Sequence, residues 1–168
     1  ISLLSERPMD TTRLLALRKL HSISDYQFGP EITNILFKNN DKIQIIRSKN
    51  TNKIKYVHLN DKLLLSLKPT TGLFTLSFLA AEHIINRTTV PKLRAVVLSE
   101  ISEFIKKGRN VFCKHITAID ENLRPMDEVI VVNQEEEVLA IGRVNVPIPY
   151  IKTFTRGVGV DVRKGIGS

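Results

Sequence analysis

The chain has 168 residues, 42% of them apolar, enough for one ordinary domain or two small ones with real cores, so a disordered chain is excluded. Lys plus Arg number 25 against 17 Asp plus Glu, a formal net charge of +8, which favours a polyanionic partner such as nucleic acid and leaves a merely basic soluble protein as the alternative. The single cysteine, Cys113, excludes a disulfide framework and any multi-cysteine zinc site, and makes a reducing, cytoplasmic setting the default.

Residues 10–20, DTTRLLALRKL, set Leu14, Leu15, Leu17 and Leu20 behind Asp10, Thr11 and Thr12 as candidate caps. This predicts a short amphipathic helix with Arg13, Arg18 and Lys19 on its other face. Gly29-Pro30 breaks the chain, and Pro30 suits the first turn of a second helix running to about Phe37. KIQIIRSK, IKYVHL and KLLLSL read as three strands, the last two joined at Asn60-Asp61. TTGLFTLSFLAAEHIINR predicts a turn and short strand leading into a helix over about residues 77–86.

Val90 precedes a proline and is biased to extended structure, so the segment RTTVPK is the expected domain boundary, with the division between residues 90 and 91. Beyond it LRAVVL is a strand, and SEISEFIKKG is a helix with Ser99 as N-cap and Gly108 as its stop. Residues 110–146 read as three strands, PYIKTF as a turn and GVGVDVRKG as a last strand. That β-α-β-β-β-β order suffices to roll into a small barrel. Residues 1–90 hold 13 Lys+Arg and 7 Asp+Glu, residues 91–168 hold 12 and 10, so most of the excess charge is in the first half.

No apolar run approaches the roughly 20 residues of a membrane helix and no signal peptide opens the chain, so a soluble, unexported protein without a membrane partner is expected. Its opening on Ile1 rather than Met fits a trimmed chain or part of something longer. The histidines, His21, His58, His83 and His115, have no metal-ligand spacing, and GVGV and GIG have no nucleotide-loop spacing, so neither a metal nor a cofactor is expected. Cys113 and His115, two apart on a predicted strand, would share a face; a thiolate nucleophile is one reading, an inert buried thiol the commoner one.

The basic residues carry more information. Lys106, Lys107, Gly108, Arg109 and Asn110 end a helix and begin a strand, where amides and cations both reach phosphate, although cations in a last helical turn also meet the helix dipole. Lys114, Arg143, Arg156 and Arg163 lie on successive predicted strands or at their ends, and a rolled sheet would gather them on one surface. Gly157 and Gly159 leave room for another backbone, the protein's own or an RNA strand, while Glu135, Glu136 and Glu137 read as a solvated hairpin tip.

The run KKGRNVFCKHITAIDENLRPMDEVIVVNQEEEVLAIGRVNV, followed by RGVGVDVRKG, resembles the PUA domain, a small RNA-binding pseudobarrel of tRNA- and rRNA-modifying enzymes, over about residues 92–166. DYQFG, IQIIRSK and LKPTTGLFTLSFLAAEHI resemble the domain that precedes PUA in archaeal tRNA-guanine transglycosylase and archaeosine synthase. The resemblance implies an α+β fold, a small α/β N-terminal domain over 1–90 and a PUA-type pseudobarrel over 91–168. It also implies a cytoplasmic tRNA-binding accessory module without catalytic residues, positioning the acceptor stem and 3′ end of tRNA for a separate catalytic subunit of the archaeosine pathway. The implied RNA contacts are Lys106, Lys107, Gly108, Arg109, Asn110, Lys114, Arg143, Arg156 and Gly157. Met126 stands where the family has glycine in an R-P-G-D turn, which puts that turn's conformation in question. The alternative is a protein-protein adaptor docking a catalytic subunit on the face of Leu14, Leu17 and Leu20, with incidental RNA binding.

Overall fold

A computed structural model of the protein describes residues 11–168. They form two compact units, the first ending at Thr75 and the second spanning Leu76–Ser168. The helix after residue 77 therefore belongs to the second unit, whereas a boundary at 90/91 leaves it with the first.

In the first unit, helix α1 (Thr11–Phe28) runs eight residues beyond its expected end and is followed by α2 (Pro30–Leu36). HSISDYQF is a poor helix former by itself, and tertiary contacts hold it. The Thr33 hydroxyl donates to Ser24 Oγ at 2.7 Å in the core, and the Gln27 side-chain amide exchanges two 2.8 Å hydrogen bonds with the backbone of Phe74. Asp10, one candidate cap, lies outside the described residues. A 3-10 turn (Asn40–Lys42) leads to β1 (Ile43–Arg47), β2 (Ile54–Leu59), β3 (Lys62–Leu67) and β4 (Phe74–Leu76), which form a sheet in that sequential order. Asn60 and Asp61 both take positive φ, 51° and 67°, the backbone of a two-residue hairpin.

Leu17 and Leu20 are buried in this unit's core with Ile32, Leu36, Val57 and Phe74. The leucine face of the adaptor alternative is thus consumed by the fold, and only Leu14 and Leu15 remain exposed.

The second unit opens with α3 (Phe78–Arg87), whose N-cap Ser77 accepts from the Ala80 amide at 3.1 Å. Then follow β5 (Arg94–Val97), a 3-10 turn (Ser99–Ile101), α4 (Ser102–Lys106), β6 (Val111–Phe112), a second 3-10 turn (Cys113–His115) and β7 (Ile116–Ile119). The chain ends in β8 (Glu128–Val132), β9 (Val138–Val144), α5 (Ile148–Thr153) and β10 (Val158–Gly165). The sheet order is β6-β10-β9-β8-β5-β7. Its two edge strands are one stretch of chain bent at Cys113–His115, so the sheet curls into a nearly closed pseudobarrel, as the resemblance implies.

Several local expectations are corrected. The predicted strand through 110–119 is broken, because a continuous strand cannot serve both edges of one curled sheet. Ser99 does not cap a helix: its hydroxyl donates to the Glu135 carboxylate at 2.7 Å and accepts from the Gln134 amide, tying down the hairpin tip. PYIKTF is a helix, not a turn. Met126 has φ 77°, so it keeps the glycine-like turn at the cost of backbone strain.

Buried polar groups hold this unit together. Arg94, fully buried, donates to the carbonyls of Ile85, Thr88 and Lys92 and so fastens the end of α3 to the start of β5. Its Nε has no hydrogen-bond partner; the Glu136 carboxylate approaches to 3.4 Å, and burial still draws the guanidinium below its ordinary pKa. Buried Glu128 accepts from the Leu76 amide at 2.9 Å and from Arg163 at 2.7 Å.

Candidate nucleic-acid interface

The expected RNA-contacting residues fall into two groups, one at each end of β10. At the Gly165 end, α4 terminates in Gly108, with φ 95° and its amide on the Ile105 carbonyl at 2.9 Å. Close packing is possible there because Gly165 lies beneath: a Cβ on it would stand 2.2 Å from the Lys106 carbonyl oxygen. Lys107 and Arg109 are exposed, and the Arg109 guanidinium lies 5.9 Å from the centre of the exposed Phe104 ring.

Two members of this group have structural roles. Lys106 is paired with Glu103 at 3.4 Å, and Asn110 Oδ1 accepts from the Val162 amide at 2.9 Å, pinning the loop to β10. The amides of Lys107, Gly108 and Arg109 all bond to carbonyls of residues 103–105, so the phosphate-binding capacity of this loop lies in its cations, not in its backbone.

At the Gly157 end, the Cys113 amide donates to the Gly157 carbonyl at 3.0 Å, which brings Lys114 and Arg156, both exposed, to one surface. Gly108 and Lys114 are six residues apart, so the two groups lie no more than about 20 Å from each other. The Cys113–His115 turn packs against α5. From α5 and its exit project Tyr150 and Phe154, stacked at 5.1 Å with a 20° interplanar angle and each about half exposed. Phe112, also half exposed, meets His115 edge to face at 6.2 Å. These three exposed aromatics were not singled out from the sequence. The i, i+4 spacing of Tyr150 and Phe154 was the available signal, legible only if PYIKTF is a helix.

Arg143 stands apart from both groups. On β9 it is in register with Glu128 on β8 and Asp161 on β10, so carboxylates flank it on both sides. Arg163 is engaged with Glu128 and the Leu76 carbonyl. Of the four basic residues expected on one surface, the fold gathers Lys114 and Arg156. Cys113 and His115 sit in a turn, not on one strand face; the thiol is buried over Gly159, and burial raises its pKa, which disfavours a thiolate.

Among the described residues no group of three His, Cys, Asp or Glu side chains is placed to hold a metal ion, and no helix is long and apolar enough to cross a membrane. His21 stacks on Phe37, and His83 contacts Arg87, burial and that guanidinium both lowering its pKa.

Residues 18–91 match the patch-forming domain C2 of tRNA-guanine transglycosylase, and residues 94–166 match the PUA domain. The chain is 34% identical over 149 residues to the tRNA-guanine(15) transglycosylase of Methanothermobacter thermautotrophicus, and 35% identical over 149 residues to that of Methanocaldococcus jannaschii. These alignments cover 89% and 88% of this chain but 22% of each relative, in its C-terminal portion. The fold is similar to that of a hypothetical protein from Pyrococcus horikoshii, with TM-score 0.72, 22% identity and 90% of both chains covered. It is also similar to that of a conserved PUA domain protein from Thermoplasma acidophilum, with TM-score 0.63, 14% identity, and 93% and 91% covered.

Proposed function

We propose that this chain, which belongs with the PUA-domain proteins and carries the patch-forming C2 domain of tRNA-guanine transglycosylase ahead of its PUA domain, binds tRNA. In this reading it presents the acceptor stem and 3′ end to a catalytic unit of tRNA modification that acts in the archaeosine pathway. The observation that carries the reading is the pairing of exposed cations with exposed aromatic rings along one β-strand. Lys107 and Arg109 neutralise phosphates at the Gly165 end and set the position of a duplex without reading its sequence. At the Gly157 end, Lys114 and Arg156 hold the backbone of an unpaired strand while its bases stack on Tyr150, Phe154 and Phe112.

Chemistry is assigned to a catalytic unit other than these residues, whose one thiol is buried; the chain spans 22% of the length of the relatives it matches. A domain boundary between residues 90 and 91 is supported by the two matched stretches, the first ending at residue 91 and the second beginning at 94, whereas the compact units divide between Thr75 and Leu76. A reducing cytoplasmic setting suits the free Cys113.

The test is fluorescence anisotropy with a folded archaeal-type tRNA, the same tRNA without its 3′ CCA, and a plain RNA duplex, each over a range of salt. The expected order is full tRNA tightest, with loss of CCA weakening binding. Equal affinity for all three, vanishing at moderate salt, would overturn the reading and leave only the net charge at work.

A further inference from the structure

Met126 belongs neither to the core of the second unit nor to the two groups of residues at the ends of β10. It is 65% exposed and holds φ 77°, a backbone conformation that glycine adopts freely and a side chain only under strain. The turn before β8 imposes that conformation. The Arg124 amide donates to the Asp127 carboxylate at 2.9 Å, the Asp127 amide to the Arg124 carbonyl at 3.1 Å, and the Met126 amide to the Val144 carbonyl at 2.8 Å. Burial of the side chain does not offset the strain, and strain held by an exposed side chain is a mark of a binding surface.

The hydrogen-bond ladder sets Met126 at the Gly157 end of the sheet. Val144, which accepts from Met126, is followed by Asn145. The Asn145 amide donates to the Gly159 carbonyl at 2.9 Å, and its side-chain amide to the Val158 carbonyl at 2.9 Å. Val158 is in register with Phe112 on β6. Met126 and the half-exposed Phe112 are therefore three strand spacings apart, no more than about 15 Å across the curled sheet. Lys114 and Arg156, the exposed cations of this end, each lie two residues along the chain from that row, beside Phe112 and Val158.

We infer that Met126 packs against an unpaired nucleobase of the bound strand, extending the stacking surface of Phe112, Tyr150 and Phe154 across β10 and β9 to the turn before β8. This rests on the RNA-binding reading and adds an apolar contact that the cations of that end do not supply. A thioether on an unbranched side chain meets an aromatic ring without a hydrogen bond, so it accepts any base that is not already stacked in a duplex. The contact thus favours unpaired over paired RNA and prefers no base.

The experiment uses the full chain and compares Met126→Ala with Met126→Leu. Both keep a side chain at the strained φ, and they differ in apolar reach. Met126→Ala is expected to bind the folded tRNA about two- to tenfold more weakly, with Met126→Leu near the parent. Binding to tRNA without its 3′ CCA is expected to be unchanged in both, as is the salt slope, because no phosphate contact is lost. The chain has two methionines, Met9 and Met126, so in protein labelled at the methionine methyl carbons the Met126 signal is assigned by its loss in Met126→Leu. On adding the folded tRNA to the unaltered protein that signal is expected to move upfield under the ring current of a base, and to stay in place with tRNA lacking CCA.

If the tRNA binds selectively but the Met126 methyl signal is unmoved and Met126→Ala keeps the parent's affinity, the inference falls and the RNA-binding reading survives. Equal losses in Met126→Ala and Met126→Leu, or an equal methyl shift with tRNA lacking CCA, would also overturn the contact with an unpaired base. If the unaltered protein binds no RNA, or binds all three RNAs alike, both readings fall. Should either variant not fold, the methyl shift in the unaltered protein decides the inference by itself.

Discussion

The two units use charge in opposite ways. In the second, carboxylates and cations are nearly balanced and several are spent on structure: Arg94 on three buried carbonyls, Glu128 on Arg163 and the Leu76 amide, Lys106 on Glu103. In the first, Lys19, Lys53 and Lys68 have no carboxylate partner among the described residues, although that unit holds most of the net positive charge. A count of basic residues is therefore a poor guide to where a polyanion binds. Arg163 scores as strongly in a sequence as Arg109, yet its charge is already answered by the buried Glu128 carboxylate at 2.7 Å.

This contrast breaks most readily at the buried arginine. Arg94→Ala leaves the carbonyls of Ile85, Thr88 and Lys92 without their donor and opens a cavity, so equilibrium urea unfolding is expected to show a loss of about 3–5 kcal/mol. A loss under about 1 kcal/mol would mean that Arg94 is not structural. Next in size is the aromatic surface. Tyr150→Ala with Phe154→Ala is expected to cost about 1–3 kcal/mol in binding to full tRNA and much less to tRNA without CCA, by anisotropy; equal losses on both RNAs would remove the stacking role.

Cys113 supplies a pH-dependent term. Burial raises the folded thiol's pKa above its ordinary value of about 8.5, so the unfolded chain ionises first. The stabilisation is fully present below that ordinary value and is lost as pH rises toward the folded one, by at most about 1.4 kcal/mol per pH unit. Melting curves from pH 7 to 10 should show the parent losing more stability than Cys113→Ala; parallel profiles would contradict the burial effect. The smallest change is Met126→Gly, which relieves a φ of 77° while adding freedom to the unfolded chain, for a net gain of about 0.5 kcal/mol by chemical denaturation. Destabilisation instead would show that the exposed methionine side chain contributes more than its backbone strain costs.

Local chemistry sufficed for some elements. IKYVHL and KLLLSL emerge with the bounds read from their β-branched and apolar runs, because Asn60-Asp61 accepts the positive φ a two-residue hairpin demands. Gly29-Pro30 divides α1 from α2 for the same kind of reason, a backbone preference carried by the residues themselves. The PUA-like order of strands was likewise legible, since its motifs lie in one continuous stretch.

What the tertiary structure decided was everything that depends on a partner distant in sequence. The length of α1 rests on Ser24 meeting Thr33 and Gln27 meeting Phe74. The bend at Cys113–His115 exists because one stretch must supply both edges of a curled sheet. Which cations are engaged followed from contacts remote in sequence, Arg163 on Glu128 and Arg94 on the carbonyls of Ile85 and Thr88, which local residue pattern does not encode. The sequence by itself determined the charge, the family likeness and those elements whose backbone preference is local; only the fold, by bringing remote carboxylates to some cations and leaving others open, decided which charges remain for a ligand.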